Sequence, residues 1–248
     1  GTSPLHVGWA RRILPTSMNR FLISLSVLMA LCLPAAAQTA EQIMERARIG
    51  ATLQSTDLHG NIRKDRTKTP VALFLRNQDI QFTTGAGKQR FHMRLGDGKH
   101  QLFEMDDKGR QGAFPKDKLS QGIAGSDLTY EDLSLRFFYW PNPQLEGEER
   151  VDIHNCWKIR LNNPGKSGDY AAMYVWIHQK YGAFMKIEGF DQQGNKLKQF
   201  TVEKVMKLPD GGTTVKTVKV ASYKGDRVTG ISYLEFDKPK KVAPQGLR

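Results

Sequence analysis

Glu131 and Asp132, with Asp127 just upstream, are the carboxylates of this sequence best placed for shared acid–base work. On a helix, however, adjacent side chains diverge by about 100°, a poor geometry for passing one proton between them. Early in a helix the same acids compensate its dipole or simply meet solvent, and that is the expected role. Cys156 is a candidate nucleophile, with His154 two residues away on the same face of a strand. No other histidine has a clear claim on it, so a buried, inert thiol beside Trp157 is the simpler expectation. The histidines at 6, 59, 92, 100, 154 and 178 are scattered without metal-ligand spacing. His92 and His100 flank the Gly96 turn and are expected to face each other across a hairpin as surface residues. Gly85-Ala-Gly87-Lys88 lacks the rest of a phosphate loop. These readings point away from an enzyme, and neither cofactor nor metal is expected.

The aromatic residues are more informative. Phe137, Phe138, Tyr139 and Trp140 are consecutive, and Tyr170, Tyr174 and Trp176 fall on one strand face if that strand is regular. They are either core or the lining of a hydrophobic groove that holds an acyl chain. On the groove reading the candidate lining residues are Leu128, Leu135, Phe137, Tyr139, Tyr174 and Trp176.

Those aromatics must be positioned by the stretch from Ser126 to Pro143, the one helix-like piece between two groups of strands. Read as a helix, it is capped by Ser126 or Asp127 and ended by Pro141. Leu128, Leu135 and Tyr139 then line one side, and Tyr130, Leu133 and Phe137 nearly the opposite one. Two apolar sides place such a helix between apolar walls. Alternation of Leu133, Leu135, Phe137 and Tyr139 also fits the first strand of the next group, so a short helix running into a strand is expected.

The remaining elements read as follows. Thr39-Ala-Glu-Gln42 has capping-box spacing and opens an amphipathic helix from Ala40 to Arg48. From Ala51 onward β-forming runs alternate with turns: His59-Gly60-Asn61, Gly96-Asp-Gly98, Asp106 to Arg110, Asn162 to Gly165, Asp191 to Asn195, Pro209 to Gly212 and Lys224 to Asp226. Turns at roughly ten-residue spacing define an antiparallel meander. The fold class is mainly β with short helices, a half-open antiparallel β-barrel with an N-terminal helix and a helix over its mouth.

At 248 residues, 39% hydrophobic and 25% charged, the chain fits one globular domain, placed at 38–237. Residues 1–17 read as upstream sequence. Residues 18–37 read as a secretory leader: Met18-Asn-Arg, an apolar run to Leu33, then Ala35-Ala-Ala37 at the cleavage site. Residues 238–248 read as a loose basic tail. Arg11-Arg12 hints at a twin-arginine route. Losing Arg11, Arg12 and Arg20 with the leader leaves 34 basic against 25 acidic residues, or +9. Cys156 is then the lone cysteine, unless Cys32 is kept as a lipidation site. Positive charge in an exported chain suits anionic lipid headgroups or an acidic surface polymer better than nucleic acid, which is not an expected partner.

Gly125-Ser-Asp-Leu-Thr-Tyr-Glu-Asp-Leu-Ser134, Cys156-Trp157 opening a strand, Val175-Trp-Ile177 before Gly182, and Glu188-Gly-Phe-Asp-Gln-Gln-Gly-Asn-Lys-Leu-Lys198 together resemble the LolA-like outer-membrane lipoprotein-sorting proteins, in their poorly characterised branch. The resemblance covers roughly Thr39 to Phe236. It implies a half-barrel with a cavity suited to lipid chains, a periplasmic location, no covalent chemistry, and cargo in the form of acylated lipoprotein or other lipid bound by a monomer. The alternative it implies is a regulatory or scaffold module that senses lipid or contacts an envelope membrane protein. No functional residue of the known carriers maps onto a matching motif.

Overall fold

The computed structural model describes residues 38–52, 57–76, 79–85, 89–96, 99–106, 108–165, 167–209 and 211–239. The leader expected at 18–37, Cys32, the arginine pair and most of the basic tail lie outside them. Thr39–Arg248 forms one compact unit. Helix α1 (Ala40–Thr52) opens with the expected capping box. Thr39 N donates to Gln42 Oε1 at 3.0 Å, and Gln42 N donates to Thr39 Oγ1 at 3.2 Å. Its buried stripe is Ala40, Ile43, Met44 and Ala47. The helix continues through Gly50, four residues beyond its expected end.

Two antiparallel meanders follow. The first is β1 (Leu58–Lys64), β2 (Thr67–Arg76), β3 (Asp79–Thr84), β4 (Gln89–Gly96), β5 (Lys99–Met105) and β6 (Gln111–Ala113). The second is β7 (Gln144–Val151), β8 (His154–Asn162), β9 (Ala172–His178), β10 (Phe184–Phe190), β11 (Lys196–Lys207), β12 (Thr213–Lys224) and β13 (Arg227–Phe236). One sheet joins them in the order β6-β5-β4-β3-β2-β1-β13-β12-β11-β10-β9-β8-β7. It does not close: β6 and β7 are its edges, and β1 pairing with β13 is the seam between the meanders. This is the half-open, mainly β architecture expected.

Three local expectations fail for physical reasons. His59-Gly60-Asn61 is not a turn but part of β1, and the chain reverses instead at Asp65 (φ 51°) and Arg66. Gly60 is there because β13 approaches it closely: a Cβ would overlap the Glu235 carbonyl oxygen. Edge strand β7 escapes pattern reading because Gln144-Leu-Glu-Gly-Glu-Glu-Arg has no apolar alternation, and charge on a solvent-facing edge is what keeps it unpaired. His92 and His100 do not face each other: His92 lies opposite Phe103 and His100 opposite Leu95. His92 is also buried, with Nδ1 2.6 Å from Gln111 Nε2.

The core lies on the inner face of the sheet. Ile62, Val71, Phe82, Phe91, Ile159, Val175, Phe200 and Val220 point there and meet α1 and the segment between β6 and β7. A methyl group at Gly60 has to push the β1–β13 seam apart. Gly60→Ala is expected to cost about 1–3 kcal/mol, read as a lowered urea midpoint; an unchanged midpoint would show that the seam yields without penalty.

Candidate functional site

Residues 114–143 leave edge strand β6, cross the inner face, and enter the opposite edge strand β7. This cover contains one short helix, α2 (Tyr130–Ser134), and 3-10 turns over Lys116–Lys118 and Arg136–Tyr139. The expected short helix does not run into a strand: Leu135 takes the left-handed conformation (φ 49°, ψ 20°) and the second 3-10 turn follows it. The cap is Thr129 rather than Ser126 or Asp127: Thr129 N donates to Asp132 Oδ2 at 2.7 Å, and Asp132 N donates to Thr129 Oγ1 at 3.3 Å. Ser126 Oγ instead accepts from Leu128 N. Asp127 accepts from Ser232 Oγ at 2.7 Å and pairs with Lys64 at 3.3 Å, which ties the cover to β13 and β1.

Aromatic contacts fasten the cover at both ends. Near β4, Phe91, Phe114 and Tyr130 form an edge-to-face group with centroids 4.9–5.7 Å apart. Near β10, Phe138 stacks on Phe184 at 4.0 Å, and the Phe138 carbonyl accepts from Arg48 of α1 at 2.6 Å. Of the six candidate lining residues, Leu128 and Phe137 are buried in the inner core, and Leu135 and Tyr139 pack against it half-buried. Tyr174 and Trp176 are elsewhere, on the outer face with Cys156, Val151 and Met185. Tyr170 is parted from them too, because it precedes β9 and turns inward onto Gly189. The hollow implied for a lipid chain is occupied: Leu128, Tyr130, Leu133, Phe137, Phe138 and Trp140 fill the space between sheet and cover.

The two carboxylates stand in the first turn of α2, where they compensate its dipole as expected, but neither meets solvent. Glu131 is 1% exposed and Asp132 3% exposed. Asp132 meets Lys198 Nζ at 2.5 Å and accepts from Tyr170 OH at 2.7 Å. Glu131 meets Arg136 Nη2 at 2.5 Å and accepts from Asp169 N at 2.9 Å. Arg136 also donates to the hydroxyl and carbonyl oxygens of Ser167. The Asp132–Lys198 pair thus binds the cover to β11, while the Glu131–Arg136 pair is internal to the cover and reaches the β8–β9 loop through its hydrogen bonds with Asp169 and Ser167. Burial raises the Glu131 carboxyl despite Arg136 beside it, and burial followed by the Asp132 charge pushes the Tyr170 phenol well above its ordinary range. Sequence reading missed this network because its partners lie 5 to 66 residues apart. No local signal carries such pairings.

The other candidates for chemistry are separated or inert. Burial raises the Cys156 thiol, the opposite of what a nucleophile needs. His154 packs against His178 instead, with ring centroids 5.0 Å apart. His178 Nδ1 accepts from Lys180 N and Tyr181 N, which fixes it as a neutral ring, and burial lowers its pKa. Among the described residues no group of three or more histidine, cysteine and acidic side chains is arranged to hold a metal ion. No helix among them is long and apolar enough to cross a membrane.

An unclosed antiparallel sheet with a helix and a cover on its inner face is the LolA-like half-barrel. Three solved structures share it. An outer membrane lipoprotein-sorting protein domain from Vibrio parahaemolyticus superposes with a TM-score of 0.62 at 16% identity, over 84% of this chain and 95% of that one. A DUF1329 family protein from Desulfovibrio piger gives 0.61 at 15% identity, over 85% and 95%. A LolA superfamily protein from Nitrosomonas europaea gives 0.59 at 16% identity, over 84% and 96%. A family profile described only as an uncharacterized protein matches residues 105–244, more than half of the chain. The chain belongs to that family, and its fold is LolA-like. No curated protein matches it.

The raised Glu131 pKa has a definite linkage sign. Between the ordinary value, about 4.3, and the raised one, the folded state holds the proton that the unfolded state releases, so stability falls as pH rises through that window. In Glu131→Gln this decrement is absent. The melting temperature of the native chain minus that of the variant should therefore shrink between about pH 4 and pH 7; a gap that widens instead would mean that Arg136 controls the ionisation.

Proposed function

We propose that the protein is a periplasmic, non-enzymatic binder of acylated or lipid cargo, and that cargo enters by displacing the 114–143 cover from the inner face. The observation that carries this reading is that the apolar filling of the half-barrel comes, apart from α1, from one segment strung between its two edges. The side chains of Leu128, Leu135, Phe137 and Tyr139 then stand where an acyl chain would lie, and the surface they leave binds it. Tyr174 and Trp176, on the outer face, do not line this site. Burial of an acyl chain contributes about 25 cal/mol per Å² of apolar area, against the area the cover gives up.

The charged fastenings suit such an exchange. A buried ion pair recovers much of its Coulomb energy as hydration once it opens, so Asp132–Lys198 defines the closed position without adding the stability of an equal apolar contact, while Glu131–Arg136 travels with the cover. The fold shared with lipoprotein-sorting proteins supports the choice of cargo, and the leader-like residues 18–37 support the compartment.

Tyr170→Phe removes one hydrogen bond to the charged Asp132 and leaves the ring over Gly189 in place. Such a bond is worth about 1.5–3 kcal/mol, so the variant populates the open cover more and binds a fluorescent fatty acid about ten- to a hundredfold more tightly, with a lower melting temperature. Weaker or unchanged binding in the variant would rule out entry beneath the cover. Failure of the native protein to bind any acyl probe would end the cargo reading itself.

A further inference from the structure

The outer face of the sheet carries a feature that the inner site does not use. Strand register aligns one row of side chains across eight strands. Lys158 on β8 lies opposite Trp176 on β9, which lies opposite Lys186 on β10, which lies opposite Thr201 on β11. Thr201 continues the row to Lys219 on β12, then Tyr233 on β13, Arg63 on β1 and Lys68 on β2. Residues directly opposite each other share a face, and their neighbours Ile159, Val175, Ile187, Phe200, Val220 and Ile62 all point inward. The row therefore points outward. At about 4.8 Å per strand it is roughly 34 Å long.

Its cations are held in place by rings. Lys186 Nζ lies 3.7 Å from the Trp176 ring centre, Lys158 Nζ 5.2 Å from the same ring, and the Arg63 guanidinium 4.1 Å from Tyr233. Glu149, Glu188 and Glu235 pair with Lys158, Lys186 and Arg63. Lys219 and Lys68 have no ion-pair partner among the described residues. At the β8 end the row opens into a groove of about 500 Å³, where Lys158 and Arg160 stand beside Tyr174 and Phe190, with Glu146, Glu188 and Asp191 also on its wall, so that a sugar there meets it through hydroxyls and ring faces as well as cations. Arg160 Nε is held by Asn162 Oδ1 at 3.0 Å, which turns the guanidinium across Tyr174.

We propose that this row is a binding track for a linear anionic polysaccharide, whose carboxylates meet the row's cations and whose terminal sugar lies in the groove against Tyr174 and Phe190. The charges decide for a polyanion, and the shape decides which one. A track one residue wide follows a single extended chain, whereas a flat bilayer touches a curved outer face over only a few strands. Single-stranded nucleic acid needs open rings at successive bases, whereas along the row Trp176 is 2% exposed beneath its lysines and Tyr233 lies under Arg63, and the open rings of Tyr174 and Phe190 stand only at the groove. Cations standing mainly on alternate strands suit a polymer with acid groups at regular intervals.

Polygalacturonate is the probe, with neutral dextran, phosphatidylglycerol vesicles and single-stranded DNA as comparisons, all on the full chain. Polygalacturonate should bind, and binding should weaken with salt. Lys68→Glu/Lys219→Glu should weaken it about tenfold, and Lys207→Glu/Lys224→Glu, the same charge change off the row, by less than about twofold. Arg160→Gln tests the groove separately, and should weaken binding without altering the melting temperature. Equal losses in the two double variants, tighter binding to vesicles or DNA, or no binding to polygalacturonate would overturn the proposal. The fatty-acid assay reports the inner site alone, so either reading can fail without the other.

Discussion

An antiparallel sheet that stays open has an apolar inner face that no second sheet covers, and the chain must cover it with its own non-sheet segments. Among the described residues, α1 and the 114–143 cover do this. That constraint explains why the cover starts at one edge strand and ends at the other, and why it is so rich in aromatic residues. Few side chains fill a wide hollow unless each is large. Phe114, Tyr130, Phe137, Phe138 and Trp140 do this with very little regular structure among them.

A short helix with so few hydrogen bonds of its own cannot hold its place by propensity. Its position is set instead by the groups it meets. Asp132 is required at once by its own cap, by Tyr170 and by Lys198, and no other orientation of α2 satisfies all three. Gly189 has no side chain where the Tyr170 ring lies, so the strand beneath is shaped to admit that phenol. The cost of burying two carboxylates is met by specificity of position, not by added stability.

How much of this was legible beforehand depended on the range of the interactions. The α1 cap was legible because Thr39 and Gln42 are three residues apart, and most strands were legible from their bounding turns. The span of the cover was legible as a break between two groups of strands. Its internal form was not, because Leu133, Leu135, Phe137 and Tyr139 fit both a helix and a strand, and the left-handed Leu135 that decides between them follows from packing. Glu131 and Asp132 were visible as a pair of acids, yet their burial depends on Arg136, Asp169, Tyr170 and Lys198, whose proximity is a property of the folded sheet. Tyr174 and Trp176 were rightly seen to share a face, but only the register with β8 and β10 shows that the face is the outer one.

The same two-residue period gives this sheet two separate chemistries. Along β9, Met173, Val175 and Ile177 face the cover, while Tyr174 and Trp176 face outward among lysines and arginine. Along β10, Ile187 and Gly189 support the inner core while Lys186 and Glu188 stand outside. A change on one face is thereby only a peptide unit away from the other. At Gly189 the register of β10 against β11 shifts, the inner side accommodates Tyr170, and the next residue, Phe190, walls the outer groove. The strand that admits the phenol holding the cover closed is therefore also the strand that shapes the outer groove, and a movement of β10 in either direction is felt on both faces.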